Sequence, residues 1–278
     1  MIVRGIALSI RYALAASVFL LPGIPHIVRA QQSEPEKQSR DPREVQPERP
    51  TVATHAGTVA PNWVELEFGG EWDRYTDGSR VLSFPANLKI GVSSHAQLNI
   101  LATGFRGTPS DAAVRGVGDV TFGLKYRLID DGPVVGDFAI LPAIKLPTAP
   151  VSRGLGTGTT DFSLLLISSH SFGPVDMDIN LGATHRSGDG IEAPKTSSVW
   201  AVSAGAPIAG QLGWTGEIFG FPGTSGPAGA KPIVALLTGP TYQAAKWLAM
   251  DFGFIEPLTG PQPRALYAGL VWNIGKLP

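Results

Sequence analysis

Residues 62–75 read NWVELEFGGEWDRY. Val64, Leu66, Phe68, Gly70 and Trp72 fall on one face, and Glu65, Glu67, Gly69, Glu71 and Asp73 on the other. Successive side chains of a β-strand point to opposite sides, so this period of two predicts a strand with one apolar and one acidic face. A half-buried strand of a soluble sandwich shows the same alternation. The decision between sandwich and barrel therefore rests on how often the pattern recurs and how its copies are joined.

It recurs along the rest of the chain. Leu82, Phe84, Ala86, Leu88 and Ile90 oppose Ser83, Asn87 and Lys89, and Leu98, Ile100 and Ala102 oppose Gln97 and Asn99. Val120, Phe122, Leu124, Tyr126 and Leu128 oppose Thr121, Lys125 and Arg127. Val175, Met177, Ile179, Leu181 and Ala183 oppose Asp176, Asp178 and Asn180. Asp131-Gly132 is a hairpin signal. The alternation is weaker in 197–221 and 231–257. Short connections (92–95, 129–133, 171–174, 208–211, 243–246) alternate with longer ones rich in Gly, Ser, Thr and Pro (106–117, 148–160, 186–197, 222–230, 259–264). Outer-membrane barrels join their strands by short periplasmic turns and long external loops, with aromatic girdles at both interfaces. Trp72, Tyr126, Trp200, Trp214, Trp247, Tyr267 and Trp272 near strand ends suit such girdles. Only closure satisfies every backbone group in lipid. The expectation is an all-β fold over 61–278, a closed antiparallel transmembrane barrel of about 12 strands (about 10–14).

The rest of the composition agrees. Charged residues are only 16%, against about 25% in ordinary domains, and Gly (34) and Pro (24) are plentiful. Cysteine is absent, which excludes a disulfide framework and a thiolate zinc site. Net charge is −1 with no basic run, which argues against nucleic acid as a partner. Residues 1–30 read as a cleaved secretory signal: Arg4 and Arg11, the short apolar run Tyr12–Leu21, the break Pro22-Gly23, and small residues Val28 and Ala30 at the −3 and −1 positions. Residues 31–60 read as a disordered, proline-rich, charged segment. Within 31–50, nine of 20 residues are charged and Val45 is the one large aliphatic, too little apolar surface to offset the entropy of ordering.

Three stretches resemble a known family. GDVTFGLKYRL (118–128), followed by AIKLPTA (143–149) and LGTGTTD (155–161), are similar to the outer-membrane barrel family named for the MetA pathway of phenol degradation. The likeness runs from about Trp63 to Gly275. It implies an outer-membrane barrel concerned with uptake of small organic, including aromatic, compounds, with no cofactor and with outer-membrane lipid and the barrel-assembly machinery as partners. The sequence departs from the usual barrel pattern at its end: the last aromatic is Trp272, six residues before Pro278.

Strand parity aims twelve charged residues inward as lumen-lining candidates for binding or selectivity: Glu65, Glu67, Glu71, Lys89, Lys125, Arg127, Asp137, Lys145, Asp176, Asp178, Glu217 and Asp251. Charges confined in a small barrel must pair, so the same set also describes a salt-bridge network that plugs the lumen. The carboxylates at i, i+2 are not read as an acid/base dyad, and no catalytic residue is assigned. Leu155–Thr160 lacks the Gly-Lys-Ser/Thr of a phosphate-binding loop and reads as a flexible connection. The five histidines have no metal-ligand spacing. Passive uptake or binding of small hydrophobic or aromatic compounds is the first functional reading. A lipid hydrolase using His185 and Ser187, with Glu192 orienting the histidine, is a second. A plugged structural surface barrel is a third.

Overall fold

The computed structural model describes residues 41–108 and 115–278; the signal-peptide reading and residues 31–40 lie outside them. Thirteen strands follow in chain order: β1 (Trp63–Arg74), β2 (Arg80–Gly91), β3 (Ala96–Thr108), β4 (Arg115–Val117), β5 (Val120–Gly132), β6 (Gly136–Leu146), β7 (Asp161–Phe172), β8 (Val175–Arg186), β9 (Thr196–Ala209), β10 (Leu212–Phe221), β11 (Ile233–Ala245), β12 (Leu248–Thr259) and β13 (Arg264–Lys276). The three-residue β4 pairs with the end of β3 and leads straight into β5, which pairs with the rest of β3. Together they make one wall strand, so the wall has twelve. Each pairs antiparallel with its sequence neighbour, and β1 closes the ring on β13 through Glu67↔Val271, Gly69↔Gly269 and Glu71↔Tyr267.

The weakly alternating segments 197–221 and 231–257 are full wall strands. Their outward faces carry small residues such as Ala204 and Pro240, which blur the apolar period without breaking the hydrogen-bond ladder. The hairpin expected at Asp131-Gly132 reverses slightly later. β5 continues through Gly132, with Asp131 at φ 49° and a register shift that marks a bulge, and Pro133–Val135 make the turn.

Face assignment follows the pleat. Phe68, Phe122, Phe162, Leu164, Leu181, Phe252 and Leu266 are all more than 40% exposed and project from the outside of the wall. Trp72, Trp214, Trp247 and Trp272 are exposed near strand ends, and exposed Tyr126, midway along β5, is level with the first residue of β3. So large an exposed apolar belt is the surface of a protein solvated by lipid. Trp200 lies flat on Gly220, its register partner on β10, where a Cβ would collide with the indole. Tyr267 departs from the girdle expectation. It is 5% exposed and points into the lumen, because outward parity on β13 belongs to Leu266, Ala268 and Leu270.

A cation in the centre of the belt must be solvated by hydrocarbon. Leu166, midway along β7 and outward-facing, should therefore cost about 2–4 kcal/mol when replaced in Leu166→Arg, and Phe162→Arg, at the strand end, about 0–1 kcal/mol. Equilibrium refolding into lipid vesicles measures both.

Candidate functional site: an occupied lumen

Residues 41–60, expected from composition to be disordered, are ordered inside the barrel. Val45, Ala53, Ala56 and Val59 are 0–2% exposed. The segment enters at the short-turn end, where the Val45 N–H donates to the Lys246 carbonyl (2.9 Å). It turns at mid-depth near Arg49–Ala53 and returns to the same end, where the Asn62 N–H meets the Gly91 carbonyl (2.8 Å). Composition misjudged it because the apolar surface it needs is supplied by the wall.

With prolines at 42, 47 and 50 the segment cannot form regular structure of its own, and its backbone N–H groups need acceptors. The inward side chains of the wall provide them. Gln46 N–H donates to both Glu65 oxygens (3.2 and 3.0 Å) and Glu48 N–H to Glu67 (2.6 Å). Val52 and Ala53 N–H groups donate to the two oxygens of Glu217 (2.8 and 2.6 Å). Asn180 accepts from Thr54 N–H (2.8 Å) and donates back to its carbonyl (2.9 Å). Ala56 N–H reaches Ser169 Oγ and Val59 N–H reaches Gln97, both at 2.8 Å.

Charges complete the anchoring. Lys89, fully buried, pairs with Glu67 (2.9 Å) and Glu65 (3.3 Å) and donates to the Gln46 carbonyl. Lys125, also fully buried, binds the Glu48 carboxylate (2.5 Å) and the carbonyls of His55 (2.8 Å) and Gly57 (3.0 Å). Gln97 and Asn99 donate to the same Glu48 carboxylate. Arg49 pairs with Asp251 (3.1 Å) and lies over Gly69 and Gly269, which face each other across β1 and β13; a Cβ at either would strike its guanidinium. The β10–β13 wall adds apolar side chains to Glu217 and Asp251. Ala53 packs with Phe219, Leu237, Ile255 and Tyr267.

The twelve inward candidates thus divide. Glu65, Glu67, Lys89, Lys125, Glu217 and Asp251 hold the segment. Asp137, Asp176 and Asp178 instead border a cavity of about 580 Å³ between the segment and the β6–β13 wall. Asp178 accepts from Ser169 Oγ (2.6 Å) and Asp176 from Ser171 Oγ (2.7 Å). Arg127 pairs with Asp130 (2.6 Å) at the short-turn end, and Glu71 is half-buried further along β1.

Lys145 belongs to the loop end. It bridges Asp119 (2.8 Å) and Asp161 (3.3 Å), and Arg186 adds to Asp161 (3.1 Å). Asp119 also accepts N–H bonds from Ala149 (3.0 Å) and Thr157 (3.1 Å). Leu155–Thr160, expected to be flexible, is thereby clasped, with Leu155 and Thr159 buried. Burial alone would raise the Asp119 pKa, but the Lys145 ammonium and those two N–H groups outweigh it and hold the carboxyl below its ordinary 3.8.

Glu48, Arg49, Asp119, Asp161, Gln97, Asn99 and Asn180 are the functional residues that inward-charge reasoning missed. The four on strands other than the segment and loop (Gln97, Asn99, Asp161, Asn180) sit on polar faces, and parity alone would have found them. Glu48 and Arg49 carry no local signal, since they look like any charges in a solvated tail. His185 faces outward on β8 and is exposed, whereas the Ser187 hydroxyl accepts the Thr160 N–H (2.9 Å). Among the described residues no hydrogen bond joins His185 to Ser187 or Glu192, and no cluster of three or more His, Asp and Glu could hold a metal ion.

Two outcomes follow from this geometry. Gly269→Val removes the seat of the Arg49 guanidinium, so proteinase K should cut within 41–60 about tenfold faster, equivalent to about 1.4 kcal/mol of local stability. The barrel core should stay resistant. Asp119 has a lowered folded-state pKa, so its contribution is present above the ordinary carboxyl value and is lost as pH falls through the lowered one. Hydrogen exchange at the Ala149 and Thr157 amides should stay slow from neutrality to below pH 3.8. In Asp119→Asn it should already be faster at neutral pH, by about 1.5–3 kcal/mol of lost charge-assisted bonding.

No family model and no curated protein matches the chain. Solved structures do. The COG4313 outer membrane channel from Pseudomonas putida F1 superposes with a TM-score of 0.64 at 11% identity, over 81% of this chain and 99% of that one. The NanC porin superposes with a TM-score of 0.50 at 9% identity, over 76% and 98%. The fold is therefore one that outer-membrane channels use.

Proposed function

We propose that this chain is an exported outer-membrane barrel for passive uptake or binding of small hydrophobic or aromatic compounds. In its resting state the segment 41–60 occupies the path. The observation that carries the reading is the way the lumen is filled. The occupant is a tethered segment held by hydrogen bonds and ion pairs, not a set of wall side chains packed against one another. What is bound by such contacts is displaced by breaking them.

The remaining space suits a small solute. A cavity of about 580 Å³ lies in the range of small-molecule pockets, about 300–1,000 Å³. Its lining mixes apolar Pro47, Ala249 and Val271 with polar Ser169, Asp178 and Thr215. The signal-like residues 1–30 and the lipid-facing belt support the location, and the motif resemblance to the phenol-degradation barrels supports the solute class. The filled lumen also favours one rival, a structural surface barrel that never opens.

Single-channel recording of refolded protein in planar bilayers separates the two. Wild-type protein should be nearly silent. Glu217→Gln/Asp251→Asn, which removes the carboxylates that hold Ala53 and Arg49, should give stepwise currents that benzoate reduces. Silence from both proteins, together with no solute uptake by vesicles that contain them, sinks the uptake reading in favour of the structural barrel. Large steps from the wild type would mean that the segment does not occlude.

A further inference from the structure

Uptake gives no role to one feature of the barrel's outer surface. At the loop end of β13, β1 and β2, Arg264, Arg74 and Arg80 stand in one row, Arg74 being the register partner of both others. They share the face of Leu266, Trp72 and Leu82, so they point outward, and all three are exposed. Neighbouring strands lie about 4.8 Å apart, which spreads three guanidinium groups along roughly 10 Å of rim. Like charges directly opposite one another destabilise a sheet. Glu256 offsets Arg264 (2.7 Å), but among the described residues Arg74 and Arg80 make no ion pair. The acid of the intervening turn, Asp77, accepts the Ser79 N–H (2.8 Å). Two further exposed arginines stand nearby on the same rim: Arg115 on β4, and Arg153, which donates to the Arg115 carbonyl (3.0 Å).

The row sits where headgroups begin. The Arg80 guanidinium lies 5.7 Å from the centre of the Trp72 ring, an outward-facing girdle aromatic. Aromatic belts mark the headgroup level of a membrane. Immediately below, Phe68 and Phe84 stack at 6.3 Å and Leu266 is 56% exposed, an apolar surface at acyl-chain depth. A fixed line of guanidinium groups above an acyl-chain surface has the chemistry of a phospho-lipid site. Arginine binds phosphate bidentately, and several arginines in line match a headgroup with more than one phosphate.

We propose that Arg264, Arg74 and Arg80 bind the phosphates of a phosphorylated glycolipid of the outer leaflet, its acyl chains lying on Phe68, Phe84 and Leu266. The proposal rests on the outer-membrane reading and adds a lipid ligand to it. The long-loop end of the barrel, which carries the row, is the external one, so the site faces the leaflet in which such glycolipids reside.

The test is binding of diphosphoryl lipid A to detergent-folded full-length protein, read by native mass spectrometry. Wild type should retain lipid A. Arg74→Gln/Arg80→Gln/Arg264→Gln should bind it about tenfold or more weakly, as expected from losing several charge-assisted contacts, while keeping heat-modifiable migration and β circular dichroism. If the triple variant does not fold, Arg74→Gln alone, which leaves the Trp72 stack and the Glu256 pair in place, should still weaken retention severalfold. Dephosphorylated lipid A should bind wild type as poorly as lipid A binds the variant. Equal retention by wild type and folded variant overturns the proposal. So does binding of dephosphorylated lipid A, phosphatidylglycerol or inorganic pyrophosphate as tight as that of lipid A. Membrane fractionation keeps the two readings apart. Wild type in the outer-membrane fraction without lipid A preference sinks this site alone, whereas its absence from that fraction sinks the membrane reading.

Discussion

A charge that faces the inside of a narrow barrel must find a partner there, because water is scarce and the wall is backed by lipid. Lys89 and Lys125 are the sharpest case, since both are fully buried. Lys89 is neutralised from its own wall by Glu65 and Glu67. Lys125 is neutralised by Glu48, from a segment that precedes the first strand. The inward carboxylates in turn take up the segment's backbone N–H groups. Barrel and segment therefore complete each other: the wall supplies acceptors for a chain that cannot make secondary structure, and the chain supplies partners for charges the wall could not leave bare.

The lumen is not uniform around its circumference. The β1–β5 side is ionic and amide-rich, with Glu65, Glu67, Lys89, Gln97, Asn99 and Lys125. The β9–β13 side presents Phe219, Leu237, Ile255 and Tyr267. The segment respects this division. Its Glu48 faces the ionic wall and its Ala53 the apolar one, while Arg49 reaches Asp251 by crossing two glycines that leave room for it.

The loop end uses charge in two ways. Lys145, Asp119, Asp161 and Arg186 fasten the loop 147–160 over the strands, so the one stretch that reads as a flexible glycine-rich connection is held by buried carboxylates. On the outside of the same end Arg264, Arg74 and Arg80 stand in register, and among the described residues Arg74 and Arg80 make no ion pair. The first arrangement satisfies itself within the protein, whereas the second leaves positive charge for the surroundings to balance.

The sequence by itself determined the wall. The period of two in residues 62–75 and its repeats set the strands, the inward and outward faces and the alternation of short and long connections, because each depends on neighbours close along the chain. Even Tyr267, assigned to the girdle, was correctable from the parity of Leu266 and Leu270. The tertiary structure alone decided what fills the lumen. The partners of residues 45–59 lie on β1, β2, β3, β5, β7, β8, β10 and β12, up to 202 residues away in the case of Arg49 and Asp251. No local pattern marks them. Read alone, 41–60 is too polar and too rich in proline to order itself, and it is ordered because a closed wall surrounds it with acceptors, counter-charges and an apolar face that exist only once the ring has closed.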